Sequence, residues 1–284
     1  RMSPATCVSL VSLAASRPFR PCVSRRQTLA GRPGSKRLCS ATAGSGGAVP
    51  MGVFSDMHLW ISDARAVIWD VDGTLADSTA LGFTSTNVVL LENGLPAITL
   101  AQYKTGTRYP TPQRMAWHAV GNTSDAIGEP LGAAFDKHYV ALVSTETAGF
   151  YAGIAELITK LSERKIKQAV LSNACGEYAR RVIEVNQAEK YFAAVHGADD
   201  APEPKPSPAG LLQIAKTNDW IPSKCIYVGD SPSDGAAAKA AGMVSIGVPW
   251  GAHSRTSLCE SGHFQHVVNT VEELSELLSL CDNR

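Results

Sequence analysis

The sequence predicts an α/β fold: a Rossmann-like parallel sheet core with helices on both faces, and a block of helices inserted after the first strand. Three observations carry this expectation. From Gly153 onward, short apolar runs alternate with helical stretches, the rhythm of strand and crossover helix. Between Thr79 and Ala148 no strand pattern occurs, so that stretch reads as a helical insert. Asp70, Ser172 and Asp230 each fall just past an apolar run, where sheets of this kind bind ligands.

The elements follow in order. Ala66 to Trp69, with β-branched Val67 and Ile68, has the length and composition of a buried strand. In the insert, helices are predicted over 80–93, ended by Gly94, then over 100–104, 111–120 and 131–143. The next helix is predicted over 154–165, with Ile154, Leu157, Ile158 and Leu161 on one face. Strands are predicted over 168–172, weakly over 192–196, then over 225–228 and 244–248. Helices separate them over 177–185, 208–217 and 231–241, and a last one covers 270–280.

Composition narrows the function. The 284 residues are 44% hydrophobic, enough for a full core, and no apolar run is long enough to cross a bilayer. Residues 1–55 hold eight Lys or Arg and no Asp or Glu. The remainder has 18 basic against 26 acidic residues, a net charge of −8, which argues against nucleic acid as the partner. The Ser-, Ala- and Arg-rich composition of residues 1–55 fits an organelle transit peptide, or a disordered tail with no address. Cys175, Cys225, Cys259 and Cys281 show no metal-ligand spacing. The body divides into a core, 56–78 with 149–284, and the insert, 79–148.

Four stretches carry chemistry. Asp70 and Asp72 flank Val71 and precede Gly73. Two acids this close repel unless a cation lies between them; the alternative is a surface turn that caps the strand. Ser172 and Asn173 offer a hydroxyl, an amide and backbone N–H groups at a strand end. Lys205 sits between Pro204 and Pro206, where it is either a site cation or a surface lysine. Asp230 ends the next run, and Ser231, Pro232 and Asp234 fit a helix start, so Asp234 is read as a cap, as support for the site, or as both.

Taken together, Asp70-Val71-Asp72-Gly73-Thr74, Leu171-Ser172-Asn173, Lys205 and Gly229-Asp230-Ser231-Pro232-Ser233-Asp234 resemble the four motifs of the haloacid-dehalogenase-like hydrolase superfamily. Within it, the body from Arg65 to Leu280 looks most like the phosphoglycolate phosphatase group. The resemblance implies a phosphoric monoester hydrolase that uses Mg²⁺, with 2-phosphoglycolate as the first substrate to consider. It implies that Asp70 is the nucleophile, ionised at neutral pH, and Asp72 the general acid. Asp70, the backbone carbonyl of Asp72 and Asp230 match the metal ligands, with Asp234 behind them. Thr74, Ser172, Asn173 and Lys205 match the phosphate-binding positions. Residues 79–148 resemble the small helical cap. Within that cap, Arg108 and Tyr109 are placed at the substrate loop, Arg108 either as a carboxylate clamp or as a solvated loop arginine. With this role, residues 1–55 point to a plastid, with a mitochondrion as the alternative. The rivals are a β-phosphoglucomutase-like phosphomutase, a phosphatase for nucleotides or pyrophosphate, and a catalytically silent binding protein on the same scaffold.

Overall fold

The computed structural model describes residues 60–281. The transit-peptide assignment of residues 1–55 lies outside the described residues. Six strands form one sheet in the order β3-β2-β1-β4-β5-β6: β1 (Ala66–Trp69), β2 (Lys167–Leu171), β3 (Val195–His196), β4 (Cys225–Gly229), β5 (Val244–Gly247) and β6 (His266–Val267). Every neighbouring pair is parallel, with Ala66 opposite both Lys167 and Cys225. The chain moves outward from β1 through β2 to β3, then returns to β4 on the other side of β1. The order therefore reverses at β1, and the carboxyl end of that strand opens onto the crevice.

Alternation within the strands sends side chains to two cores. Val67 and Trp69 of β1 join Ile226 and Val228 of β4 in one cluster; Ala66 and Ile68 join Cys225 and Tyr227 in the other. The first cluster is covered by α6 (Ile154–Glu163), through Ile154, Leu157, Ile158 and Leu161, and by α7 (Gly176–Val185) and α11 (Val271–Leu278). The second is covered by α8 (Ala209–Thr217) and α9 (Pro232–Ala241). Helices thus lie on both faces, and β1 is buried throughout, as a strand of a covered parallel sheet must be.

The insert contains α1 (Thr79–Glu92), α2 (Leu100–Gly106), α3 (Thr111–Val120), α4 (Gly128–Ala141) and α5 (Thr145–Ala148). Local signals set its boundaries. Gly94 takes a φ of 70° just past α1. Thr99 caps α2 in a reciprocal bond with Gln102. Pro112 opens α3, and left-handed Gly121 closes it. Leu81, Met115, Leu131, Phe135 and Tyr139 of the insert belong to the first core cluster, so insert and sheet share continuous apolar packing. Three short elements were not anticipated: α5, α10 (Arg255–Ser261) and β6. Leu258 is the only fully buried residue of α10, too little for a periodic signal.

Candidate active site

The site is built at the carboxyl ends of β1, β2 and β4. Asp70 continues β1, its N–H donating to the Val228 carbonyl at 2.9 Å. The chain then turns tightly: the N–H groups of Leu75 and Ala76 both reach the Val71 carbonyl at 3.0 Å, and Gly73 has a φ of 74°. This loop brings Asp70 and Asp72 to one cleft with Ser172, Asn173, Lys205 and Asp230. Four separate stretches of sequence therefore meet in space.

Lys205 is the hub. Its Nζ donates to Asp70 Oδ1 at 2.7 Å, to Tyr227 Oη at 2.9 Å and lies 2.7 Å from Asp234 Oδ1. The side chain is only 3% exposed, so the surface-lysine alternative is excluded. Burial works against the ammonium, but Asp234 and Asp70 outweigh it and hold its pKa well above the usual lysine range. Asn173 fixes the backbone of this residue from both sides: its Nδ2 donates to the Lys205 carbonyl at 3.0 Å and its Oδ1 accepts from the Lys205 N–H at 2.9 Å. The Asn173 amide is thus committed to presenting Lys205.

Asp230 follows β4, and its Oδ2 accepts from the Ala252 N–H at 2.6 Å. Asp234 does two jobs in the first turn of α9. Its Oδ2 accepts from the Ser231 N–H at 2.9 Å, the acid half of a capping box, and its Oδ1 faces Lys205. Thr74 is fully buried, and its Oγ1 has no hydrogen-bond partner among the described residues.

Asp70, Asp230 and Asp234 offer carboxylate oxygens that all lie within 4.8 Å of one another. Lys205 is the one ammonium set against these three acids among the described residues. The imbalance shows in the titration. Burial raises Asp70 to about 7; Lys205 pulls against this, while Asp234 and Asp72 add to it. Burial, then Asp70 and Asp234, drive Asp230 well above the usual carboxylate range. With the protein's own charges alone, the Asp70 carboxyl is thus raised out of the usual carboxylate range. A divalent cation would correct this, and the residues fit one. Asp234 has both oxygens engaged, which leaves Asp70 and Asp230 as the better carboxylate ligands.

The insert supplies the opposite wall with Tyr103, Tyr109, Arg114 and Tyr139. Arg108 is exposed, lies over the Tyr109 ring at 4.9 Å and does not line the cleft. Arg114 does. Its guanidinium packs over Phe135 at 4.5 Å and forms no ion pair among the described residues. Tyr139, Tyr178, Tyr227 and Ser78 were also missed by sequence reasoning. Each reads as core or turn in the pattern, and only the structure shows what the hydroxyls reach. Cys175, beside the site, has its thiol pushed up to about 12, chiefly by burial.

A model of haloacid dehalogenase-like hydrolases matches residues 67–248. The chain belongs to the haloacid dehalogenase-like hydrolase family. This hydrolase is 33% identical to the phosphoglycolate phosphatase of Xanthomonas campestris pv. campestris over 187 residues, 66% of this chain and 84% of that protein. It is 31% identical to the phosphoglycolate phosphatase of Xylella fastidiosa over 218 residues, 77% and 93% of the two chains. Its fold matches that of a CbbY mutant from Rhodobacter sphaeroides in complex with xylulose-(1,5)bisphosphate, with a TM-score of 0.66 at 21% identity, over 78% of this hydrolase and all of that chain.

Proposed function

We propose that the hydrolase is a Mg²⁺-dependent phosphomonoesterase that works through an aspartyl-phosphate on Asp70, with 2-phosphoglycolate as its preferred substrate. The observation that carries this reading is the pairing of Asp70 with Lys205 at 2.7 Å in a buried acidic cluster at a strand end. Asp70 attacks phosphorus; the new Asp70–phosphorus bond forms as the bond to the substrate oxygen breaks. Asp72 gives that oxygen its proton. Asp72 then takes a proton from water as the water oxygen attacks phosphorus, which releases phosphate and restores Asp70. Lys205 keeps Asp70 oriented, while the backbone at Ser172 and Asn173 binds phosphoryl oxygens; Thr74, fully buried and outside the cleft lining, supports the loop instead. Asp70, Asp230 and the Asp72 carbonyl would hold Mg²⁺, which would offset the repulsion between Asp70 and the substrate dianion.

The substrate assignment has two supports. Both bacterial relatives are named phosphoglycolate phosphatase. Arg114 gives the cleft a guanidinium besides the ammonium groups of Lys205 and Lys104, suited to the carboxylate of a small phosphorylated acid. In this reading residues 79–148 act as a cap that excludes water. Residues 1–55 direct the chain to a plastid, with a mitochondrion as the alternative; import of a reporter fused to them tests this.

The test is phosphate release from a panel of phosphorylated acids, sugars, sugar bisphosphates, nucleotides and pyrophosphate, with Mg²⁺ and with chelator. The expected result is Mg²⁺-dependent release that is fastest with 2-phosphoglycolate. Transfer between sugar hydroxyls without release points to a mutase, and no turnover of any member rejects the reading.

A further inference from the structure

Asp72 is held in an unusual way. Its Oδ1 accepts three hydroxyl hydrogen bonds: from Ser78 at 2.5 Å, from Tyr139 at 2.7 Å and from Tyr178 at 2.7 Å. Its Oδ2 has only the Ser172 hydroxyl, at 3.5 Å. The two phenols come from different parts of the chain. Tyr139 lies on α4 of the insert and Tyr178 on α7 beside the sheet, and their rings stack with centroids 3.8 Å apart and planes 14° from parallel. Both rings are buried, and Phe135 packs against Tyr139 with ring centroids 4.7 Å apart.

We infer that Tyr139 and Tyr178 are positioning residues for proton transfer: with Ser78 they occupy Asp72 Oδ1 and so commit Oδ2 to the exchange with the leaving oxygen. This rests on the reading of Asp72 as the general acid. The geometry supports it in two ways. An oxygen that already accepts three O–H bonds is the poorer seat for a further proton, because that proton would meet the donors already aimed at it. The carboxyl plane is fixed by two rigid rings rather than by flexible chains, and proton transfer is steep in such alignment. Because one phenol belongs to the insert, the full set of donors forms only when α4 is packed against α7. The full alignment of Asp72 therefore belongs to the covered cleft, and Ser78 and Tyr178 anchor it otherwise.

Leaving-group dependence tests this. An alkoxide needs its proton during departure; p-nitrophenolate hardly does. Tyr139→Phe and Tyr178→Phe keep the rings and remove only the donors. Each is expected to lower kcat/KM for an alkyl phosphate by roughly 10- to 100-fold, a share of the full general-acid effect. The value for p-nitrophenyl phosphate should change by less than about threefold, because its departure does not depend on the acid. In an Asp72→Asn background, the tyrosine substitutions should leave the alkyl-to-aryl ratio unchanged. Thermal unfolding confirms that each variant is folded, and Ser78→Ala, which removes the third donor, provides an independent variant should a phenylalanine one fail to fold. Equal losses on both substrates, or none, overturn the inference while the phosphatase reading stands. A wild-type enzyme that hydrolyses neither substrate overturns both.

Discussion

Lys205 Nζ stands 2.7 Å from Asp70 Oδ1, across 135 positions of sequence, with both side chains withdrawn from solvent. The pair is a consequence of topology. β1 ends at Asp70, and the loop before α8 carries Lys205 back over the same crevice. Asn173, just past β2, clamps that loop by its backbone.

Removing the ammonium leaves Asp70 and Asp234 facing each other uncompensated. Lys205→Met is expected to abolish turnover and, in chelator, to cost about 3–5 kcal/mol of stability, the usual penalty for breaking a buried pair from one side. Chemical denaturation with and without Mg²⁺ measures this. A stable but inactive variant would mean that the lysine acts on substrate alone.

Gly251 leaves room for the Asp230 carboxylate. A Cβ there would collide with Asp230 Oδ2 and with the Gly73 carbonyl. Gly251→Ala should lower kcat/KM by about 100-fold, the scale of a small misplacement at a reacting centre. It should also raise the Mg²⁺ concentration needed for half-activation. Unchanged Mg²⁺ activation would contradict the placement of Asp230 as a ligand.

Arg114, not Arg108, faces the cleft. Arg114→Ala should raise KM for 2-phosphoglycolate by roughly 10- to 100-fold, as expected for losing hydrogen bonds to a charged group. It should leave KM for ethyl phosphate, which lacks the carboxylate, nearly unchanged. Arg108→Ala is the control, with both values close to wild type. The reverse pattern would return the clamp to Arg108.

Asp136 gives a pH signature away from the metal ligands. Burial raises its pKa from 3.8 to about 6, with Arg114 pulling against it, and its Oδ1 has no hydrogen-bond partner among the described residues. A carboxyl raised in the folded state favours folding while protonated. That contribution is complete below the unfolded value and is lost as pH rises through the folded one. Asp136→Asn should therefore gain stability relative to wild type between about pH 4 and pH 7. A difference in unfolding midpoint that does not change over this range would refute it.

Much of this was legible in the sequence, for identifiable reasons. β1, β2 and β4 announce themselves as apolar runs, and their ends place Asp70, Ser172 and Asp230. Lys205 carried no local signal; only its company in the motif set distinguished it from a surface lysine. The tyrosines were invisible because a buried ring satisfies the helical pattern whether or not its hydroxyl has work. Tyr139 falls on the same face as Leu131 and Phe135. Arg108 was singled out because it sits in the loop, whereas Arg114, which carried no signal, projects from the first turn of α3. Sequence spacing could not tell which of the two turns inward.

The central claim is that Asp70 becomes phosphorylated. Rapid acid quench of the enzyme during turnover of 2-phosphoglycolate, followed by mass spectrometry of the peptide containing Asp70, tests it directly. The expected result is a phosphoryl adduct on Asp70 that hydroxylamine removes and that Asp70→Asn cannot form. Phosphate release at wild-type rate by Asp70→Asn, with no adduct on the wild-type peptide, would contradict it.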